Sequence, residues 1–70
     1  MQYMVVIEQG TNSFGAYVPD LPGCIAAGET REEVAALIQE AIEIHIEDIK
    51  AQGRQVPVPH SSGELVSVDA

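Results

Sequence analysis

Hydrophobic residues recur at strand-like spacing in the first third of the chain and at helix-like spacing in its middle. Residues 2–8 and 14–18 are rich in β-branched and aliphatic side chains, and a run of turn-forming residues separates them. This pattern predicts a β-hairpin. Small apolar residues alternate over residues 23–29 and predict a third strand. Three strands are therefore expected ahead of one helix.

A proline-rich corner, Val18-Pro19-Asp20-Leu21-Pro22-Gly23-Cys24, joins the second and third predicted strands. Its two prolines and its glycine restrict the backbone to a turn. A rigid corner loses little entropy on binding, so Tyr17, Asp20 and Leu21 are candidate contacts for a partner protein. The alternative is that the corner only reverses the chain direction, and the sequence leaves both open.

The helix is predicted to run from Thr30 to about Gln52. Thr30 and Glu33 have the spacing of a capping box, in which each side chain binds a free amide at the helix start. Gly53 follows as a C-terminal cap. The apolar positions of this helix cover about 200° of its circumference, which is more than one small sheet needs. They are Val34, Leu37, Ile38, Ala41, Ile42, Ile44, Ile46 and Ile49.

The wide apolar stripe predicts a homodimer or higher homo-oligomer, with Ile44 and Ile46 at the interface.

Beyond the helix, the prolines of residues 53–59 favour an extended tail. Residues 64–68 can form a short fourth strand at a sheet edge. The predicted fold class is α+β: a β-β-β-α(-β) antiparallel sheet with one long helix packed on a face. Residues 1–70 form one domain, with residues 54–70 as its tail.

The net charge of the chain favours binding to a basic protein over binding to nucleic acid. The chain has eleven acidic residues and three basic ones, which gives a formal net charge of −8. Such a field repels phosphate backbones and attracts a basic protein, so we expect no direct nucleic-acid binding. Glu40, Glu43 and Glu47 lie on the outer helix face and are candidate contacts for a cationic partner. The alternative for this face is a solvated surface.

Cysteine and hydropathy patterns favour a cytoplasmic protein. The single Cys24 cannot form an internal disulfide. The N-terminus lacks the basic segment and cleavage site of a signal peptide, and no apolar run approaches the length of a membrane span. We therefore expect no membrane association.

Few residues are candidates for chemistry. His45 could be a ligand, a base or a packed core residue, and the last is favoured because no metal-binding spacing surrounds it. His60 lies in the predicted flexible tail. Cys24 is better explained as a small buried hydrophobe than as a nucleophile. We therefore predict no catalytic residues, no metal site and no cofactor.

Acidic residues require a separate test, because ribonuclease H-type enzymes begin with the same element order. Those enzymes hold magnesium with several acids that converge on the sheet. Glu8, Asp20 and Glu29 lie at predicted strand ends or in the corner instead of at mid-strand. We therefore expect the protein not to be an enzyme.

Several motifs together resemble the HicB antitoxin family. The Pro-Asp-Leu-Pro-Gly-Cys corner combined with Gly-Glu-Thr before the helix is the most specific feature. The matching segments are residues 3–7, 14–24, 28–34, 42–47 and 53–59. The resemblance covers nearly the whole chain as far as Pro59.

This resemblance implies a truncated ribonuclease H-like fold without a catalytic centre. It also implies neutralisation of a HicA-type toxin, a small basic mRNA-cleaving ribonuclease. Many family members carry a C-terminal DNA-binding domain, and the sequence ends before one could fit, so we expect no operator binding by this chain. The alternative is a solitary dimeric HicB-like binding module without a toxin. Whether a separate DNA-binding partner provides autoregulation stays open.

Overall fold

Three strands and one helix form the protein. The computed structural model describes all residues 1–70, with β1 at Val6–Gln9, β2 at Phe14–Tyr17, β3 at Ile25–Gly28 and α1 at Arg31–Ala51. The strands make one antiparallel sheet in the order β1-β2-β3. Helix α1 packs on one face of this sheet. The predicted α+β class is confirmed.

Strand register decides which side chains meet the helix. Ile7, Ala16 and Ala26 lie opposite one another across the three strands and pack into the hydrophobic core. The neighbouring row, Val6, Tyr17 and Ile25, therefore faces away from the helix, because adjacent strand residues point to opposite faces. The core is aliphatic. Its buried members are Ala16, Val18, Leu21, Cys24, Val34, Ile38 and Ile49.

The small residues of β3 allow the helix to approach closely. A Cβ atom placed on Gly28 would lie 2.8 Å from Glu33 Oε1 and 3.2 Å from the Val34 amide nitrogen. Since the first turn of α1 occupies this space, a larger residue would push the helix away from the sheet. The small residues of β3 thus suit the close approach of helix and sheet.

The helix begins at the predicted cap. Thr30 Oγ1 accepts a hydrogen bond from the Glu33 amide at 3.0 Å. The Glu33 carboxylate reaches back and accepts from the Glu29 amide at 2.9 Å. Two amide groups that lack partners within the helix are thereby satisfied.

The helix ends at a glycine in the left-handed region. Gly53 has φ 72°, and its amide donates to the Lys50 carbonyl. The Arg54 amide donates to the Ile49 carbonyl, which completes a Schellman motif. The predicted helix bounds therefore hold to within one residue.

The predicted fourth strand is absent. Residues 64–68 have no strand partner, and Leu65, Val66 and Val68 are exposed. The tail is instead fastened earlier: Val56 packs against the core and the Tyr3 hydroxyl donates to the Pro57 carbonyl. The tail is thus held by side-chain contacts and single hydrogen bonds, and residues 64–68 form no strand ladder.

Only part of the apolar helix stripe is covered. Val34, Ile38 and Ile49 are buried, whereas Leu37 and Ile44 are exposed.

Helix α1, with 21 residues, is not long and apolar enough to cross a membrane.

Candidate functional site

The proline-rich corner is folded inward. The Leu21 amide donates to the Val18 carbonyl and the Cys24 amide donates to the Leu21 carbonyl, so the corner consists of two successive turns. Gly23 has φ 85°, a conformation that other residues adopt with difficulty. The turns place the Leu21 side chain in the core, where it is completely buried.

Asp20 holds the C-terminal tail against this corner. Its Oδ2 accepts hydrogen bonds from the amides of His60 and Ser61, each at 2.9 Å. Its Oδ1 accepts from the Ser61 hydroxyl at 2.6 Å and lies 3.0 Å from His60 Nδ1. We call this set of contacts the Asp20 clasp. It joins Asp20 to His60 and Ser61, which lie 40 and 41 residues further along the sequence.

The clasp stabilises the charged form of Asp20. The Ser61 hydroxyl, and after it the His60 and Ser61 amides, lower the pKa of this carboxyl from 3.8 to about 2. Each donor binds the carboxylate more strongly than the neutral acid. The clasp is therefore fully formed near neutral pH and weakens only in strong acid.

Burial corrects the predicted accessibility of the corner. Asp20 is 4% exposed and Leu21 is 0% exposed, so neither side chain is available to a partner in this conformation. Of the three corner candidates only Tyr17 remains accessible, at 41%, and it lies on the sheet face opposite the helix. The physical reason is that the corner supplies an apolar anchor and a tail anchor to the domain itself.

The outer face of α1 carries the other candidates. Glu40, Glu43 and Glu47 are all exposed. The one ion pair in the structure joins His60 and Asp20, so no lysine or arginine of the chain neutralises these carboxylates. The helix therefore presents an acidic surface with free charge.

The two predicted interface residues differ in their environment. Ile44 is 59% exposed. Ile46 is half-buried and packs against the hydrophobic core, so less of its side chain is free for an interface, and its place at one stays a prediction. Its side of the helix turns toward the sheet.

A shallow cleft of about 360 Å³ lies between the start of β3 and the second half of α1. Cys24 and Ala41 line it together with Ile25, Ile44 and the polar residues His45 and Asp48. We call this the β3–α1 cleft. His45 is half-buried at its wall, so it is less enclosed than a packed core residue.

The structure brings few reactive or metal-ligating side chains together. Cys24 is buried, as predicted, and burial raises the pKa of its thiol, which disfavours the nucleophilic thiolate. No group of three or more histidine, cysteine or acidic side chains is placed to hold a metal ion. The clasp holds His60 against the corner. Its segment is therefore anchored, whereas a flexible tail was predicted from the sequence.

Sequence reasoning missed the clasp and the cleft. Ser61 looked like one residue of a loop, because nothing local indicates that its hydroxyl meets a carboxylate 41 residues away. Asp48 was likewise not singled out among the acidic helix residues. Its spacing of one turn from Ile44 was the available signal, since residues four apart share a helix face.

Comparison with known proteins places these features in a family. Residues 3–69 match the family model described as HicB-like antitoxin of bacterial toxin-antitoxin systems. A UPF0150 protein of Thermoplasma acidophilum is 34% identical over the whole length of both chains. Antitoxin HicB 2 of Photorhabdus laumondii is 31% identical over 91% of this chain and 46% of its own.

A third relative shows the same partial coverage. An uncharacterised 14.9 kDa protein of Haemophilus phage HP1 is 37% identical over 81% of this chain and 43% of its own. The chain thus spans less than half the length of the phage and Photorhabdus relatives and the full length of the archaeal one. No solved structure matches the chain.

Proposed function

The chain belongs to the HicB-like antitoxin family, and we propose that it binds and neutralises a HicA-type toxin, a small basic mRNA-cleaving ribonuclease. The observation that carries this proposal, beside the family, is the acidic outer face of α1. Its carboxylates have no cationic partner within the chain. This function requires no catalysis by the antitoxin itself, and its proposed place is the cytoplasm, where mRNA is cleaved.

Masking is the proposed mechanism. A ribonuclease attracts RNA phosphates with a basic surface. Glu40, Glu43 and Glu47 offer that surface an alternative set of anions on a rigid helix, and bound protein then blocks the path of the RNA. Charge of this kind mainly speeds encounter, so the association rate should fall as salt rises.

The test compares two variants with the same change in charge. Replacing Glu40, Glu43 and Glu47 by glutamine removes three charges from the helix face. Replacing Glu8, Glu64 and Asp69 by their amides removes three exposed charges elsewhere. We expect the helix variant to associate with a HicA-type toxin roughly tenfold more slowly at low salt, and the control much less so.

Protection of RNA from the toxin provides the functional readout. The wild-type protein should stop cleavage at equimolar concentration, and the helix variant should need a higher concentration. Equal potency of the two triple variants would contradict a role for this face. Failure of the wild-type protein to bind or inhibit any toxin encoded beside it would remove the proposed function itself.

A solitary dimeric binding module is the second candidate. It is favoured by the row formed by Val6, Tyr17 and Ile25, which leaves apolar surface uncovered on the sheet face opposite the helix. The genomic neighbourhood separates the two candidates at little cost. A neighbouring gene for a small basic protein supports the antitoxin, and its absence supports the solitary module.

A further inference from the structure

The β3–α1 cleft combines an apolar wall with an unneutralised carboxylate. Cys24, Ala41 and the exposed Ile44 provide aliphatic surface, and Asp48 lies at the same cleft. The Asp48 Oδ2 atom accepts a hydrogen bond from the Gln52 side chain at 3.0 Å, and no protein group is bound to Oδ1. One carboxylate oxygen thus remains available to a partner.

We propose that this cleft is the anchoring pocket for one arginine side chain of the toxin, a proposal that rests on the function proposed above. An arginine has an aliphatic stem that packs on apolar walls and a guanidinium group that pairs with a carboxylate. The volume of about 360 Å³ lies at the small end of ligand pockets, which suits one side chain better than a helix. Arginine is also among the residues that most often dominate interface energies.

The charge pattern around the cleft selects this occupant. Ile44 lies one helical turn after Glu40 and one turn before Asp48, so the apolar wall stands between two carboxylates on the same side of the helix. Neither acid is paired with a lysine or arginine of this chain. A neutral apolar side chain would gain nothing from Asp48, whereas a cation can pair with its carboxylate and is also attracted by the nearby Glu40.

A second copy of this chain fits the cleft poorly. Each copy carries a net charge of −8, and docking at this cleft would bring two acidic helix faces together. The chain has only three basic residues with which to offset that repulsion. A basic protein meets the same surface with attraction.

The experiment measures the affinity of a HicA-type toxin for variants of the whole chain. Asp48→Asn removes the charge and keeps the shape, and Ile44→Ala removes the exposed wall. We expect each to weaken binding at least tenfold, as for an interface anchor. The matched control is Asp69→Asn, an equal change of charge at an exposed tail position, which should leave affinity within twofold.

Arginine-to-alanine variants of the toxin identify the occupant. One of them should lose affinity to a similar degree and should lose little more when combined with Asp48→Asn, because a double-mutant cycle reveals direct coupling. If the wild-type protein binds the toxin but Asp48→Asn and Ile44→Ala bind equally well, the cleft proposal is overturned and the antitoxin function stands. Dissociation of a homodimer by Ile44→Glu would also overturn it, since a second copy would then occupy the cleft.

Discussion

Asp20 contributes to the fold through a network that no single neighbour could provide. Two amides, one hydroxyl and one imidazole converge on its two carboxylate oxygens. Hydrogen bonds to a charged acceptor are stronger than those between neutral groups, and a buried carboxylate without them would be costly. Asp20 therefore fixes where the tail leaves the domain.

Replacing Asp20 should release the tail while the sheet and helix persist. In Asp20→Ala both acceptor oxygens are removed, so the amides of His60 and Ser61 lose the carboxylate oxygen that they share. We expect faster hydrogen exchange at the amides of His60 and Ser61, measured by NMR, and unchanged exchange in the middle of α1. Ser61→Ala is the control, because it removes the hydroxyl and leaves both amide donors. Slow exchange of both amides in Asp20→Ala would contradict the clasp.

The clasp should also respond to acid in a defined window. The pKa of Asp20 in the folded protein is about 2, below the ordinary value of 3.8, so its contribution to stability is complete above the ordinary value. It is lost as the pH falls toward the folded value. The Ser61 amide shift should therefore titrate with a midpoint near pH 2, and a midpoint near pH 4 would show that Asp20 is not held by these donors.

The predicted exposure of Asp20 and Leu21 failed for a physical reason. The two prolines and Gly23 indicate a turn, but they carry no information on which side of the turn faces the core. That choice depends on the core formed by sheet, corner and helix together, in which Leu21 is completely buried. The partner of Asp20 lies in the tail, beyond the range of any local pattern.

At the scale of elements, the helix was the most predictable part of the molecule. Its start depends on Thr30 and Glu33, which are three residues apart, and its end depends on Gly53. These interactions are local, so sequence alone reveals them. The fourth strand was not predictable in the same way, because alternating residues become a strand only where a sheet edge is within reach. Residues 64–68 pair with neither edge of the sheet.

The cap of α1 offers a quantitative test. Thr30→Ala removes the acceptor of the Glu33 amide, and the loss of such a cap costs about 1 kcal/mol. For a domain of this size the melting temperature should fall by roughly 4–8 °C. Thr11→Ala is the matched control, since Thr11 is an exposed loop residue. Equal melting temperatures for the two variants, measured by circular dichroism, would contradict a stabilising cap.

At the scale of the whole molecule, much surface remains exposed for so small a protein. The accessible area is 5435 Å², whereas a compact protein of this mass would expose roughly 4,200 Å². The radius of gyration is 13.8 Å, against roughly 11 Å for a compact domain of this length. The excess comes from the extended tail and the uncovered face of the sheet.

The arrangement of acids over the whole molecule predicts no nuclease activity. Asp20 is occupied by the clasp, and Glu8 and Glu29 lie exposed near strand ends. Purified protein with magnesium or manganese should therefore leave RNA and DNA intact. Cleavage that copurifies with the protein and disappears in Asp20→Asn would refute this expectation. Asp69→Asn serves as the control for a change of charge.

The last prediction is that the protein self-associates, and the exposed apolar residues on one face of the sheet indicate where two copies meet. The row Val6, Tyr17 and Ile25 leaves Ile25 71% exposed on the face opposite the helix. Pairing two copies through these rows would cover apolar surface and turn both acidic helices outward. Their charges would then be well separated compared with the screening length of about 8 Å at physiological salt. Both helix faces would stay free for basic partners.

Sedimentation equilibrium on two matched variants distinguishes the faces. Tyr17→Glu and Ile44→Glu introduce the same charge, on the outer sheet face and on the helix respectively, at positions that are both exposed. We expect the wild-type protein and Ile44→Glu to form dimers at high micromolar concentration, and Tyr17→Glu to be monomeric with unchanged helix content. A monomeric wild-type protein would rule out self-association and leave the sheet face to a different chain. Dissociation by Ile44→Glu alone would place the interface on the helix, in direct competition with a toxin.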